Sequence, residues 1–180
     1  MTGSDLRVPD PRLLVVRSAE AGDVHDVAVF QTETWREAYR GLVPDYYLDA
    51  VGVTEREHSW GARIASSSRE VVVARYDERI VGVVSWSRGD PTHDGDDLDA
   101  VELKTLYVDA GLRGSGLGAT LLTRVLAAAG NEGGAVYLWV FERNTRAVAF
   151  YGSHGFEFDG ARKLDPGTSV VEIRMTRPAR

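Results

Sequence analysis

Apolar positions along the chain follow two rhythms. Short runs rich in Val, Leu, Ile and aromatic residues at positions 13–17, 71–76, 79–86, 101–108, 137–141, 156–159 and 170–175 predict strands. Between them the spacing changes to that of a helix. Val24, Val27, Ala28, Gln31, Trp35, Ala38 and Tyr39 share one helical face, with Asp23 as the predicted N-cap and Gly41 just past the end. A short helical piece follows Pro44, and Thr54 with Glu57 reads as a capping box ahead of Trp60 and Ile64. Leu117, Leu121, Leu122, Val125 and Leu126 predict the buried face of a further helix, stopped by Gly130 and Asn131. Asp77-Glu78, between two strand patterns, predicts a tight hairpin, and the order β, α, α, β, β, β, α, β, α, β, β places the chain in the α/β class.

Composition narrows the picture. A chain of 180 residues with 43% apolar side chains is expected to build one substantial core, here over residues 13–177, with residues 1–12 as a flexible N-terminus. No apolar run is long enough to span a bilayer and no charged-then-apolar leader opens the chain, so a cytoplasmic protein without membrane partners is expected. The sequence has no cysteine, which removes disulfides, thiolate metal sites and a cysteine nucleophile. His25, His58, His93 and His154 lack metal-ligand spacing, so no metal is expected. A formal charge of −6 argues against nucleic acid and is compatible with a cationic partner, which the acidic cluster Asp94, Asp96, Asp97 and Asp99 would attract at long range.

The chemistry concentrates after the strand at 101–108. Arg113-Gly114-Ser115-Gly116-Leu117-Gly118-Ala119 is a glycine-rich loop that opens directly into a helix. Without side chains at the glycines, backbone N–H groups can crowd around a pyrophosphate while the helix adds its positive end. The loop lacks the Gly-Lys-Ser/Thr of nucleotide hydrolases. A dinucleotide loop remains a rival through Gly114-Ser-Gly116-Leu-Gly118-Ala119, with Glu142 downstream, and would make the protein an oxidoreductase; but such a loop should follow its strand at once and open a longer αβ series.

Arg113, Gly116 and Gly118 also fill the pattern Arg-x-x-Gly-x-Gly. A second segment follows about one helix later: the strand Tyr137-Leu138-Trp139-Val140-Phe141, then Asn144, Ala147, Phe150-Tyr151 and Gly155-Phe156. Together these resemble the GNAT superfamily of N-acetyltransferases, specifically over residues 102–156 and more weakly over 34–44. The resemblance implies a mixed central sheet flanked by helices, whose two parallel strands, here 103–108 and 137–141, splay apart. It implies acetyl-CoA as the acyl donor, its pantetheine arm paired with backbone at Leu106, Tyr107 and Val108 and its pyrophosphate held by residues 113–119. Asn144, Ala147, Phe150 and Tyr151 would complete the cofactor site.

By the same resemblance Tyr151 would protonate the leaving thiolate and Glu102 would deprotonate the amine, with a backbone N–H near Leu106 serving the oxyanion. Asn144 also suits a helix N-cap. Glu33, Trp35 and Tyr39 are the expected acceptor-side residues. The implied activity is acetyl transfer to a primary amine, either a small molecule or a protein N-terminus or lysine, in a possible homodimer. A non-catalytic acyl-CoA sensor is the alternative from outside enzymology.

Overall fold

The computed structural model describes residues 13–50, 52–89, 100–130 and 134–179. The expected flexible N-terminus at 1–12, the acidic cluster Asp94, Asp96, Asp97 and Asp99, and the helix stop at Asn131 lie outside these residues. Strands β1 (Leu14–Ser18), β2 (Arg69–Tyr76), β3 (Arg79–Arg88), β4 (Val101–Val108), β5 (Val136–Phe141), β6 (Glu157–Leu164) and β7 (Val171–Arg177) form one sheet in the order β1-β2-β3-β4-β5-β7-β6. Among these described strands only the β4–β5 pair is parallel. Helices α1 (Val24–Tyr39), α2 (Asp45–Ala50), α3 (Val53–Ala65), α4 (Leu117–Gly130) and α5 (Thr145–Ser153), with single 3-10 turns at Ala21–Asp23 and Ala110–Leu112, complete the described elements. Three α-helices, rather than the two of the expected order, therefore separate β1 from β2.

Alternation along each strand divides the core into two layers. Val72, Ala74, Val84, Leu103, Leu138, Ile173 and Met175 meet Leu117, Leu121, Leu122 and Val125 of α4 and Tyr151 of α5. Val71, Val73, Ile80 and Val83 meet Val27, Ala28 and Phe30 of α1 and Trp60 of α3 on the opposite face. Leu126, expected in the core, is only half-buried, and Ala129 takes the inner position one turn after Val125.

Two predicted caps are corrected. Asp23 stands at the α1 N-cap, but its side chain bonds no helix N–H. Its carboxylate instead accepts from Arg17 at 2.7 and 2.9 Å, from Arg75 at 3.0 Å and from the Glu20 amide at 2.8 Å, tying β1 and β2 to the helix start. The two guanidinium groups draw the carboxylate away from the amides of the first turn of α1 because their hydrogen bonds are charge-assisted. The Thr54–Glu57 box does not form: α3 starts at Val53 behind Gly52, and the Glu57 carboxylate sits 2.5 Å from His25 Nδ1 on α1. Gly41 follows α1 with φ +78°, as a helix stop requires. The 77–78 turn closes with Tyr76 opposite Arg79.

The feature that creates a site is the short reach of the β4–β5 ladder. It covers only Val101–Val136, Glu102–Tyr137 and Leu103–Leu138. Beyond Leu103, β4 stays paired with β3 as far as Val108–Gly82, and β5 stays paired with β7 as far as Phe141–Glu172. The two central strands therefore diverge, each held by its outer neighbour. A bulge lies at the branch point: Ser85 opposes Thr105 while Trp86 opposes Leu103, which leaves Lys104 as an extra residue in β4. A bulge bends its strand and increases its twist, and here it turns β4 away from β5.

Candidate active site

The divergence opens a cleft of about 670 Å³ through the sheet, walled by residues 103–108 of β4 and 138–141 of β5. This volume is in the range typical of small-ligand pockets. Helix α5 contributes Ala147, Phe150 and Tyr151, and α1 contributes Thr34, Trp35, Ala38 and Tyr39, so the cleft is reached from both faces of the sheet. The inner edges of both strands, left without a mutual ladder, present backbone groups for an extended ligand arm to pair with.

The glycine loop forms another wall, with Arg113, Gly114, Gly116, Gly118 and Ala119 lining the cleft. Gly114 and Gly116 have φ of +82° and +89°, a left-handed backbone that side chains oppose, and α4 begins at the next residue after Gly116. Gly118 has a different role. A Cβ there would stand 3.4 Å from the Phe150 ring, so its missing side chain lets α4 approach α5. Ser115 and Leu117 are not on the cleft surface: the Leu117 side chain is core, and the Ser115 hydroxyl accepts the Leu117 amide at 3.3 Å. Arg113 is engaged within the protein, its Nη1 donating to Glu37 Oε1 of α1 at 2.6 Å.

Asn144 caps α5 by accepting the Ala147 amide at 3.2 Å, and it also lines the cleft, which makes its two expected roles compatible. Tyr151, 8% exposed, packs its ring against Phe150 at 5.2 Å and Phe156 at 5.7 Å. Its hydroxyl has no hydrogen-bond partner among the described residues, and burial pushes the phenol above its ordinary value, so it remains a proton donor throughout the working pH range. His154, at the C-cap of α5, places Nδ1 2.8 Å from the Phe150 carbonyl oxygen.

On the other face of the sheet, Trp35 and Tyr39 stand 4.3 Å apart between ring centroids, and Tyr39 meets Phe141 edge-on at 5.1 Å. The Tyr39 and Tyr107 hydroxyls lie 3.3 Å apart, and burial raises both phenols. Glu33 is not part of this wall. The helical phase that brings Thr34, Trp35 and Ala38 to the cleft turns Glu33 outward to solvent.

Glu102 is also off the cleft surface. It belongs to the paired stretch of β4, where its carboxylate accepts the Tyr137 hydroxyl at 3.1 Å and a hydrogen bond from Lys104. The carboxylates that line the cleft are Glu172 of β7 and Asp165 in the β6–β7 turn. Sequence reasoning passed over both. The available signal was a lone acid inside the apolar strand pattern at 170–175.

Among the described residues no group of His, Asp or Glu is arranged to hold a metal ion, and no helix is long and apolar enough to cross a membrane. The acetyltransferase (GNAT) family model matches residues 30–156. An uncharacterised N-acetyltransferase of Mycobacterium bovis is 34% identical over 127 residues, covering 70% of this chain and 77% of the relative. The fold is similar to that of the PaiA N-acetyltransferase of Thermoplasma acidophilum in complex with coenzyme A, with a TM-score of 0.75 at 18% identity over 92% of this chain and 98% of the other. It is also similar to a Salmonella typhimurium acetyltransferase solved with its cofactor acetyl-CoA, with a TM-score of 0.64 at 21% identity over 92% and 94% of the two chains. With the glycine loop, the diverging strands and the family model in agreement, the chain belongs to the GNAT family of acetyltransferases.

Proposed function

We propose that this protein transfers the acetyl group of acetyl-CoA to a primary amine. The observation that carries the reading is the cleft between the diverging β4 and β5, bordered by the glycine loop and by the unpartnered Tyr151 hydroxyl. In this reading the free edge of β4 at Leu106, Tyr107 and Val108 pairs with the amide-bearing arm of the donor. Amides of the loop and of the first turn of α4 receive the pyrophosphate, assisted by the helix dipole and by Arg113 once it leaves Glu37. Asn144, Ala147 and Phe150 border the arm.

The thioester supplies the acetyl group and a thiolate leaving group; the protein supplies position, a backbone donor for the carbonyl oxygen and a proton. Tyr151 is suited to the last task because it borders the cleft and its phenol, raised by burial, still carries its proton when the thiolate forms. The acceptor enters between Trp35, Tyr39 and Phe141. A small amine or a protein N-terminus or lysine can present the required nucleophile.

Thiol release from acetyl-CoA, followed over a panel of amines, tests the reading, with binding checked separately by the thermal shift produced by CoA and by NAD. Release with at least one amine and a shift with CoA alone are expected. A CoA shift without release from any amine points to a binding protein, and a shift with NAD alone overturns the assignment.

A further inference from the structure

Glu172 is the second residue of β7, opposite Phe141 on β5 and Lys163 on β6. Its neighbour Ile173 faces the layer under α4 and α5, so alternation directs Glu172 to the α1 face. Tyr151 reaches the cleft from the α5 face. A proton donor and a carboxylate therefore border one cleft from opposite sides of the sheet.

The state of this carboxylate distinguishes it. Its side chain is 16% exposed, and its charged partner is the Lys163 ammonium. The Lys163 ammonium is 3.7 Å away and lies over the Trp139 ring, 4.1 Å from its centroid. Burial raises the Glu172 carboxyl above the ordinary range. The charged groups around it come from three sides: Lys163 and Asp165 from β6 and its turn, Glu102 from β4, and the Tyr39 phenol from α1. Lys163 favours the ionised form; Asp165 and Glu102 oppose it. Asp165 is held rigidly, its Oδ1 accepting from the Gly167 and Thr168 amides and the Thr168 hydroxyl.

We infer that Glu172 is the proton acceptor for an amine that enters the aromatic-walled side of this cleft as an alkylammonium ion. The inference rests on the acetyl-transfer reading above. One ammonium N–H proton passes to Glu172, and the freed lone pair forms the C–N bond to the thioester carbonyl carbon. The carbonyl π pair moves to oxygen and returns as the C–S bond breaks, its electron pair leaving on sulfur. Sulfur takes the Tyr151 proton, the nitrogen's surplus proton restores the phenol, and Glu172 returns its proton to water. The products are an amide, CoA thiol and one proton. A partly dry carboxylate held by one long ion pair suits this task, since the ammonium 3.7 Å away leaves its oxygens open to a proton from the cleft.

The test compares benzylamine, an ammonium ion at neutral pH, with phenylhydrazine, a neutral nucleophile of nearly the same shape. Glu172→Gln is expected to lower kcat/KM for benzylamine by about 10²-fold, to lower it at least tenfold less for phenylhydrazine, and to abolish the acid limb of the benzylamine pH profile. Glu172→Asp keeps that limb, and circular dichroism of both variants checks the fold. Equal losses on the two nucleophiles, or an acid limb that survives in Glu172→Gln, overturn the assignment. So does a wild-type enzyme that acetylates phenylhydrazine but not benzylamine. If it acetylates neither, the alkylammonium mouth is overturned, and the wider amine panel then decides separately whether acetyl transfer stands.

Discussion

Tyr151 has two separable parts, an aromatic ring packed between Phe150 and Phe156 and a hydroxyl on the cleft. Tyr151→Phe keeps the first and removes the second. Stability and CoA affinity should stay near wild type while kcat falls by about 10²-fold, the lower end for general-acid catalysis, because a thiolate is a fairly good leaving group. Steady-state kinetics alongside urea unfolding separates this from a packing defect, and wild-type kcat in the folded variant would remove Tyr151 from the proton path. Glu172 makes an opposite prediction about stability. Its folded carboxyl is raised by burial, so its contribution is full below the ordinary carboxylate value and is lost as pH rises through the folded value. Glu172→Gln should therefore be more stable than wild type at neutral pH, with the advantage vanishing in acid. Urea midpoints at the two pH values check the sign, and a destabilised variant at neutral pH would contradict it.

Helices α1 and α3 are joined by one buried acceptor. Gln31 Oε1 takes hydrogen bonds from Arg56 Nη1 and Trp60 Nε1, both at 2.8 Å, and the Arg56 guanidinium lies 5.4 Å from the Trp35 ring centroid. Trp60 is fully buried and Arg56 is 9% exposed, so neither donor can turn to water. Gln31→Leu should cost about 3 kcal/mol of stability, the scale for stranding a buried charged donor and a neutral one. Gln31→Glu, which keeps an acceptor and adds a partner for Arg56, should recover much of it. Chemical denaturation of the pair checks this, and equal loss in both variants would assign the cost to packing instead. The elements themselves were largely legible in the sequence. Strand β4 was read at its observed bounds, because eight residues of alternating and β-branched character leave little choice. The caps at Asp23 and Thr54 were misread because capping competes with long-range partners, Arg75 in one case and His25 in the other, that no local pattern names.

At the scale of the molecule, the glycine loop is tied to α1 by the bond from Arg113 to Glu37. CoA at about a hundredfold over its dissociation constant should stabilise the fold by about 2.7 kcal/mol if it binds only the native state. Gly116→Asp should abolish that shift, since Gly116 has φ +89° beside the α4 start and an added carboxylate would repel the pyrophosphate. In the reading that Arg113 leaves Glu37 to meet the pyrophosphate, the Glu37–Arg113 pair opposes the same event. Its side chains are 50% and 30% exposed, so it is worth at most about 1 kcal/mol, and Glu37→Gln should tighten CoA binding by up to about fivefold. Calorimetric titration at low and high salt measures the effect, which should shrink with salt. Weaker CoA binding in Glu37→Gln would mean that the pair positions Arg113 rather than withholding it.

By itself the sequence determined what depends on near neighbours: the period of each element, the glycine loop that opens into α4, the Asn144 cap, and the order of segments that marks the family. The tertiary structure decided which side chains share the cleft. Strand β7 lies between β5 and β6, although β6 precedes it in the chain, and this non-sequential insertion brings Glu172 beside Phe141. A shift of one residue in that register would turn Glu172 toward the opposite layer. The bulge at Lys104 likewise sets where β4 leaves β5, and hence why Glu102 stays among paired strands while residues 104–108 border the opening. Register and bulges arise from pairing between distant segments, and the energies that fix them belong to the assembled sheet rather than to any stretch of sequence.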